Sequence, residues 1–279
     1  MATILCISSQ VARGHVGASA QRFVLERLGH EVWVLPTIVL SNHPEHARFS
    51  GQVTDPKVLE DMAESLDANG WLDQVAVVVS GYMPSEAHVT SALEALERVR
   101  AHVPKALHLC DPIMGDDPDG LYIDAAAAYA IQTRLVPTAD IATPNRFELT
   151  RLAGHDIEDT NDALRAAKSL GVQRVLASSI PEPGDEALVN LLNAGERAWV
   201  CRVPKRANAP HGAGDAMAAL YLSQLLAGKR DSEALGTASA GVEAMLEASG
   251  EADELKLIPS QAAWSNAESR PIQALNGGG

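Results

Sequence analysis

The sequence predicts an α/β fold: a central, mostly parallel β-sheet flanked by helices on both faces, with a small antiparallel edge. Three observations carry this prediction. Apolar runs of strand length alternate with segments of helical period, which is the order of parallel strands joined by crossover helices. Runs such as Val75-Ala76-Val77-Val78-Val79 are apolar at successive positions and suit a strand buried on both faces. Late in the chain, 187–193 and 198–203 flank Ala194-Gly195-Glu196 and read as an antiparallel hairpin.

In chain order, the short apolar runs at 3–8, 31–35, 75–80, 106–110 and 174–178 are predicted strands. Between and after them, apolar residues recurring every three to four positions predict helices over 11–28, 59–66, 85–102, 124–135, 162–170 and 213–226. No internal repeat, heptad array or low-complexity linker interrupts this order, so residues 1–279 are expected to form a single domain, with 276–279 (Asn-Gly-Gly-Gly) as a loose tail.

Composition bounds the function. At 279 residues, 46% hydrophobic and 21% charged, the chain can bury a full core, and 4% aromatic content makes that core aliphatic. A net charge of −14, with no run of Lys or Arg to offset it locally, opposes nucleic acid and anionic membranes and favours a small-molecule partner. An anionic substrate would then need helix N-termini, a metal ion or a few basic residues to receive it. Met1 to Ile7 has neither the basic start of a signal peptide nor the length of a membrane span, so a cytoplasmic location is expected. Cys6, Cys110 and Cys201 are far apart, lie in strand-like runs and read as buried, reduced thiols. The nine histidines show no transition-metal spacing.

The most informative stretch is His211-Gly212-Ala213-Gly214-Asp215, running into an Ala-rich apolar helix. Two glycines permit a turn with positive φ, and the next amides point unsatisfied from a helix N-terminus, where the dipole favours an anion. An aspartate there would repel a phosphate; it makes sense as a base taking the proton from a hydroxyl that attacks phosphorus. The bland alternative is an ordinary turn with a first-turn aspartate, because Gly-x-Gly-Asp arises by chance about once in ten or more chains of this length. Other unusual residues gather where predicted strands end, which is where open α/β sheets bind ligands. Each could be plain turn chemistry: Asp111 before Pro112 can simply start a turn, Glu148 three residues after Asn145 fits a capping box, and Ser9 alone reads as a helix N-cap.

Taken together, 7–11 (Ile-Ser-Ser-Gln-Val), 14–17 (Gly-His-Val-Gly), Ser41-Asn42-His43, Ser80-Gly81-Tyr82, 110–116 (Cys-Asp-Pro-Ile-Met-Gly-Asp), 143–148 (Thr-Pro-Asn-Arg-Phe-Glu) and 212–215 resemble the pyridoxal kinases of the ribokinase superfamily, in that family's order and over roughly residues 3 to 250. The resemblance implies a ribokinase-like fold, usually a homodimer, and ATP-dependent phosphorylation of the 5'-hydroxymethyl group of pyridoxal, with pyridoxine and pyridoxamine as further substrates. It implies that Asp215 is the base and that the amides of Gly212, Ala213 and Gly214 hold the transferring phosphoryl group. It implies that Ser9, His43 and Tyr82 contact the substrate ring, and His211 could touch it as well. Asp111 and Glu148 would act through Mg²⁺ on the nucleotide phosphates. Thr143, Asn145 and Ser178 would line those phosphates, and Asp116 and Tyr122 would lie in a flap over the nucleotide. Monovalent-cation activation, common in the superfamily, is not decided by these residues.

The chain also departs from the family pattern. Pro44 stands where many members have Thr, and it can donate neither a hydroxyl nor a backbone N–H. Gln10 and Arg13 stand where members often have His and Tyr or another uncharged residue, so the substrate lid is expected to differ in charge, and His211 stands where relatives are often apolar, which bears on the choice among the three vitamers. Two other functions fit the same residues: a kinase of this fold acting on a hydroxymethylpyrimidine, and a protein that binds a B6 vitamer or nucleotide without turnover.

Overall fold

A computed structural model describes residues 1–275 apart from 183, 185, 186, 207 and 208, and the expected tail at 276–279 lies outside the described residues. The chain begins with β1 (Thr3–Val11), α1 (Ala18–Arg27), β2 (Glu31–Leu40), β3 (Gly51–Val53) and α2 (Pro56–Ala68). It continues through β4 (Val75–Ser80), α3 (Glu86–His102), β5 (Leu107–Cys110), a two-strand flap of β6 (Gly115–Asp116) and β7 (Gly120–Leu121), α4 (Ala125–Ala130) and β8 (Ile141–Ala142). The second half holds α5 (Arg146–Ala153), α6 (Thr160–Ser169), β9 (Arg174–Pro181), β10 (Ala187–Ala194), β11 (Arg197–Pro204), α7 (Ala213–Leu226), α8 (Asp231–Ser249), α9 (Gln261–Ser265) and β12 (Gln273–Leu275).

Among the described residues, ten strands form one sheet in the order β12-β11-β10-β9-β8-β5-β4-β1-β2-β3. The six from β2 to β9 pair in parallel, and β3, β10, β11 and β12 add antiparallel edges. The expected hairpin is β10–β11, paired Ala187 to Pro204 through Ala194 to Arg197. Successive residues of β1 serve two cores. Leu5 and Ile7 pack with α2 and α3 through Leu59, Val89 and Leu96, whereas Ile4 and Cys6 pack with α1 and α7 through Val24, Leu25 and Leu220. Each such side chain, fully withdrawn from water, contributes roughly 1.5–3 kcal/mol before chain entropy is counted. The three cysteines are buried and free, as expected.

Two sequence expectations are corrected. The helix expected over 11–28 begins at Ala18, and β1, expected to end at Ser8, continues through Ser9 and Gln10 to Val11. Val11 still pairs with Leu40, past a bulge between Ser8 and Gln10 that places an extra residue on β2. Helical geometry cannot begin earlier, because Gly14 and Gly17 take positive φ. Ser9 is therefore a strand residue and not an N-cap; the N-cap of α1 is Gly17. The helix expected over 124–135 is α-helical only to Ala130, then widens into a π turn over Ile131–Leu135.

The parallel order reverses around β1, which has β2 on one side and β4 on the other. Connections leave such a point in opposite directions and open a crevice at the carboxyl ends of the strands. The site is there. No described helix is long and apolar enough to cross a membrane.

Candidate active site

The crevice is a cleft of 710 Å³ at the carboxyl ends of β1, β4, β5, β8 and β9, closed on one side by the start of α7. Every residue expected to hold substrate, nucleotide or metal lines it except Ala213, the first helical residue of α7, whereas Gln10 and Arg13 do not. Six carboxylates, those of Glu45, Asp111, Asp116, Asp119, Glu148 and Asp215, face the cleft, and among the described residues no Lys or Arg does.

Asp215 sits in the first turn of α7 and is 8% exposed. Gly212, the N-cap, has φ 95°. A Cβ there would run into the carbonyl oxygen of His15, so the glycine permits both the left-handed turn and the close approach of the two loops. The loop of His15 in turn positions the carboxylate: the Gly17 N–H donates to Asp215 Oδ2 at 2.9 Å. Asp215 Oδ1 is buried without a partner. Burial pushes the carboxyl up to about 6, against the pull of the Gly17 N–H and of His211. A carboxylate held through one oxygen, with the other buried and unpartnered, in a residue that lines the cleft, is suited to receive a proton.

Asp111 follows β5 and is 5% exposed. Its Oδ1 accepts from the Thr143 hydroxyl at 2.9 Å and its Oδ2 from Gln21 Nε2 at 3.3 Å. These partners come from β8's end and from α1, so the side chain is fixed across the fold and does not merely start the Asp-Pro turn. Burial, with the nearby Asp215 charge, pushes Asp111 up to about 8. Glu148 makes the expected capping box with Asn145. Its Oε2 accepts from the Asn145 N–H at 2.9 Å and its Oε1 from the Met114 N–H at 3.0 Å. Burial and the Asp111 charge still raise Glu148 well above the usual carboxylate range. Capping and a cleft position are therefore not alternatives for this residue. Two buried carboxylates, Glu148 raised by the Asp111 charge and Asp111 by that of Asp215, beside a neutral hydroxyl and with no basic side chain among the described cleft residues, form a donor set suited to a hard divalent cation.

The remaining residues divide along the cleft. Asn145 is bridged in parallel to Ser178, and its Nδ2 donates to the Gly115 carbonyl at 2.8 Å, which ties the flap to α5. Asp116 and Tyr122 lie on the two sides of that flap, and the Tyr122 N–H donates to the Met114 carbonyl. At the other end, Ser9 lines the cleft with the half-buried ring of Tyr82, whose backbone is held by Ser8 and Thr37. His43 and His211 stack with ring centroids 4.1 Å apart, and His211 Nε2 lies 2.7 Å from Glu45 Oε2. Arg13, expected to alter the lid's charge, is engaged by Asp253 and Glu254 at 3.1 and 3.0 Å.

Sequence reading missed Gln21, which is 1% exposed and links the Cys6 thiol to Asp111. The available signal was a glutamine four residues after Gly17, on the face of α1 that also carries Val24 and Leu25.

A doubly flanked parallel sheet, with a bare aspartate on a glycine-capped helix N-terminus beside paired carboxylates, defines a ribokinase-like small-molecule phosphotransferase. The family model described as Phosphomethylpyrimidine kinase matches residues 73–257. Pyridoxal kinase PdxY of Deinococcus radiodurans is 38% identical over 255 residues, covering 88% of this chain and 86% of that protein. Pyridoxal kinase PdxY of Rubrobacter xylanophilus is 38% identical over 266 residues, 92% of each chain. The structure of pyridoxal kinase from Leishmania donovani in complex with ADP and pyridoxamine superposes with a TM-score of 0.92 at 26% identity, covering 99% of this chain and 100% of that one. The chain belongs to the pyridoxal kinase family.

Proposed function

We propose that this chain transfers the γ-phosphoryl group of ATP to the 5'-hydroxymethyl group of pyridoxal, and of pyridoxine and pyridoxamine, to give the 5'-phosphates in vitamin B6 salvage. The observation that carries this reading is Asp215: buried, held by Gly17 through one oxygen and bare at the other, on the glycine-capped start of α7. In this account the substrate ring lies between Ser9, Tyr82 and the His43–His211 pair. Its hydroxymethyl oxygen gives a proton to Asp215 Oδ1 and forms the bond to phosphorus as ADP leaves. The amides of Gly212, Ala213 and Gly214 hold the charge on the transferring group. Thr143, Asn145 and Ser178 line the phosphates, with Asp116 and Tyr122 covering the nucleotide. Asp111 and Glu148 would hold Mg²⁺, directly or through its waters, and the cation would supply the positive charge that no Lys or Arg among the described residues brings to the cleft.

We further read the chain as one kinase domain that works as a cytoplasmic homodimer. Free, buried cysteines agree with a reducing compartment. Val39 and Val53, 41% and 51% exposed, lie on the β2–β3 sheet edge, and Phe49, 54% exposed, precedes β3 beside the cleft; this apolar edge fits an interface between copies. The description of the matching family model favours a hydroxymethylpyrimidine as the second candidate substrate. Purified protein with Mg-ATP and each alcohol in competition tests the reading; a strong preference for the pyrimidine defeats it.

A further inference from the structure

His43, Glu45 and His211 each offer a ligand atom, and the three atoms lie within 4.8 Å of one another at the mouth of the cleft. Two imidazole nitrogens and one carboxylate oxygen form the donor set of open, three-ligand Zn²⁺ sites, whereas Mg²⁺ prefers an all-oxygen shell. The one contact among them that is close enough to hydrogen-bond is already near what a bound ion would require. Ligands about 2.0–2.1 Å from a tetrahedral ion stand a little over 3 Å apart, compared with 2.7 Å between His211 Nε2 and Glu45 Oε2. The rings now stack with centroids 4.1 Å apart, so binding would exchange the stack for a shared ion. His43 and Glu45 belong to the 41–50 loop, and His211 directly precedes the Gly212 cap of α7. Asp116, across the cleft, is close enough to feel the charges of both Glu45 and His211.

We infer that His43, Glu45 and His211 form a binding site for a borderline divalent metal such as Zn²⁺, distinct from the Asp111–Glu148 carboxylates, and that occupancy locks the 41–50 loop to the start of α7 and slows turnover. The site itself stands on geometry alone; its effect on turnover rests on the kinase reading. The loop borders the proposed substrate position, so a metal bridge across it would hinder substrate entry and product release.

The test is equilibrium dialysis of the full chain with Zn²⁺ and no nucleotide, with Co²⁺ absorption as the spectroscopic probe. Wild type should bind one Zn²⁺ per chain in competition with Mg²⁺, and Co²⁺ should give a visible spectrum of low coordination number. Glu45→Gln and His211→Ala should each weaken binding by more than about tenfold, and Asp111→Asn should leave it unchanged. Glu45 is 55% exposed, so its substitution does not disturb the core. At fixed Mg-ATP, Zn²⁺ should inhibit wild type, and Glu45→Gln, measured against its own zinc-free rate, should be inhibited far less. Zinc affinity that is indifferent to Glu45 and His211, or that disappears with Asp111→Asn, overturns the site. Absence of turnover by either protein, with zinc still bound, defeats the kinase reading and leaves the site standing.

Discussion

At the residue scale, two carboxylates in one cleft are placed in different chemical positions by their partners. Asp215 has one bare oxygen, and Asp111 has both oxygens occupied by neutral donors. Replacing Asp215 by Asn keeps the shape and removes the base, so kcat should fall by about 10²–10⁴ with KM for ATP little changed; steady-state kinetics at saturating pyridoxal checks this. The base works when charged, so kcat/KM should decline as pH falls through about 6, the position to which burial raises Asp215. Stability runs the other way for Asp111. Its pKa in the fold is raised to about 8, so its contribution is present below the ordinary carboxylate range and lost as pH rises through about 8. Metal-free protein should therefore unfold more easily at pH 8 than at pH 6, and Asp111→Asn should raise Tm at pH 8 by roughly 2–8 °C while abolishing turnover. Thermal scans of the two proteins at both pH values decide it. Asp215 was legible in the sequence because Gly-x-Gly-Asp is a local pattern. Gln21 was not, because its partner Asp111 lies 90 residues away and nothing local marks a buried glutamine's target.

At the scale of elements, the site depends on two glycine-bearing loops that interlock. The loop between β1 and α1 donates Gly17 N–H to Asp215, and its His15 carbonyl occupies the space that a side chain at 212 would need. Gly212→Ala should thus cost about 1–3 kcal/mol of stability through strain at φ 95°, and should lower kcat further by displacing Asp215; denaturant unfolding and kinetics on the same preparation separate the two effects. The ion pairs of Arg13 with Asp253 and Glu254 are a weaker tie. With Arg13 59% exposed they are worth less than about 1 kcal/mol, so Arg13→Ala should alter stability little. The central parallel strands were readable because burial on both faces writes continuous apolar runs. The end of β1 was not, since Ser9-Gln10-Val11 is strand by pairing with β2. Helix α8 also went unread: its Ala, Gly and Ser residues carry little periodic contrast. Its glycines serve packing, because a Cβ at Gly241 would press on Leu220 and one at Gly236 on the Ser269–Arg270 segment. Strands β3 and β12 are three residues each and are defined by distant partners.

At the scale of the whole molecule, a chain of net charge −14 presents six carboxylates and, among the described residues, no basic side chain to a cleft proposed for a nucleotide. Cations must accompany the phosphates in, so nucleotide affinity should fall steeply on chelation of divalent metal, with calorimetric titration of ATP before and after EDTA as the check. The apolar sheet edge near Phe49 predicts a dimer. Sedimentation at micromolar concentration should give a species near twice the 29.5 kDa chain mass, and a single species at that mass contradicts it. The central claim is that Asp215 carries phosphoryl transfer to pyridoxal, and one measurement meets it most directly: growth of pyridoxal 5'-phosphate absorbance with Mg-ATP, for wild type and Asp215→Asn side by side. The account predicts turnover by wild type that vanishes without Mg²⁺ and is lost in the variant while the variant still binds pyridoxal. Equal rates for the two proteins, or no phosphorylation of pyridoxal by folded wild type that binds ATP, would contradict it.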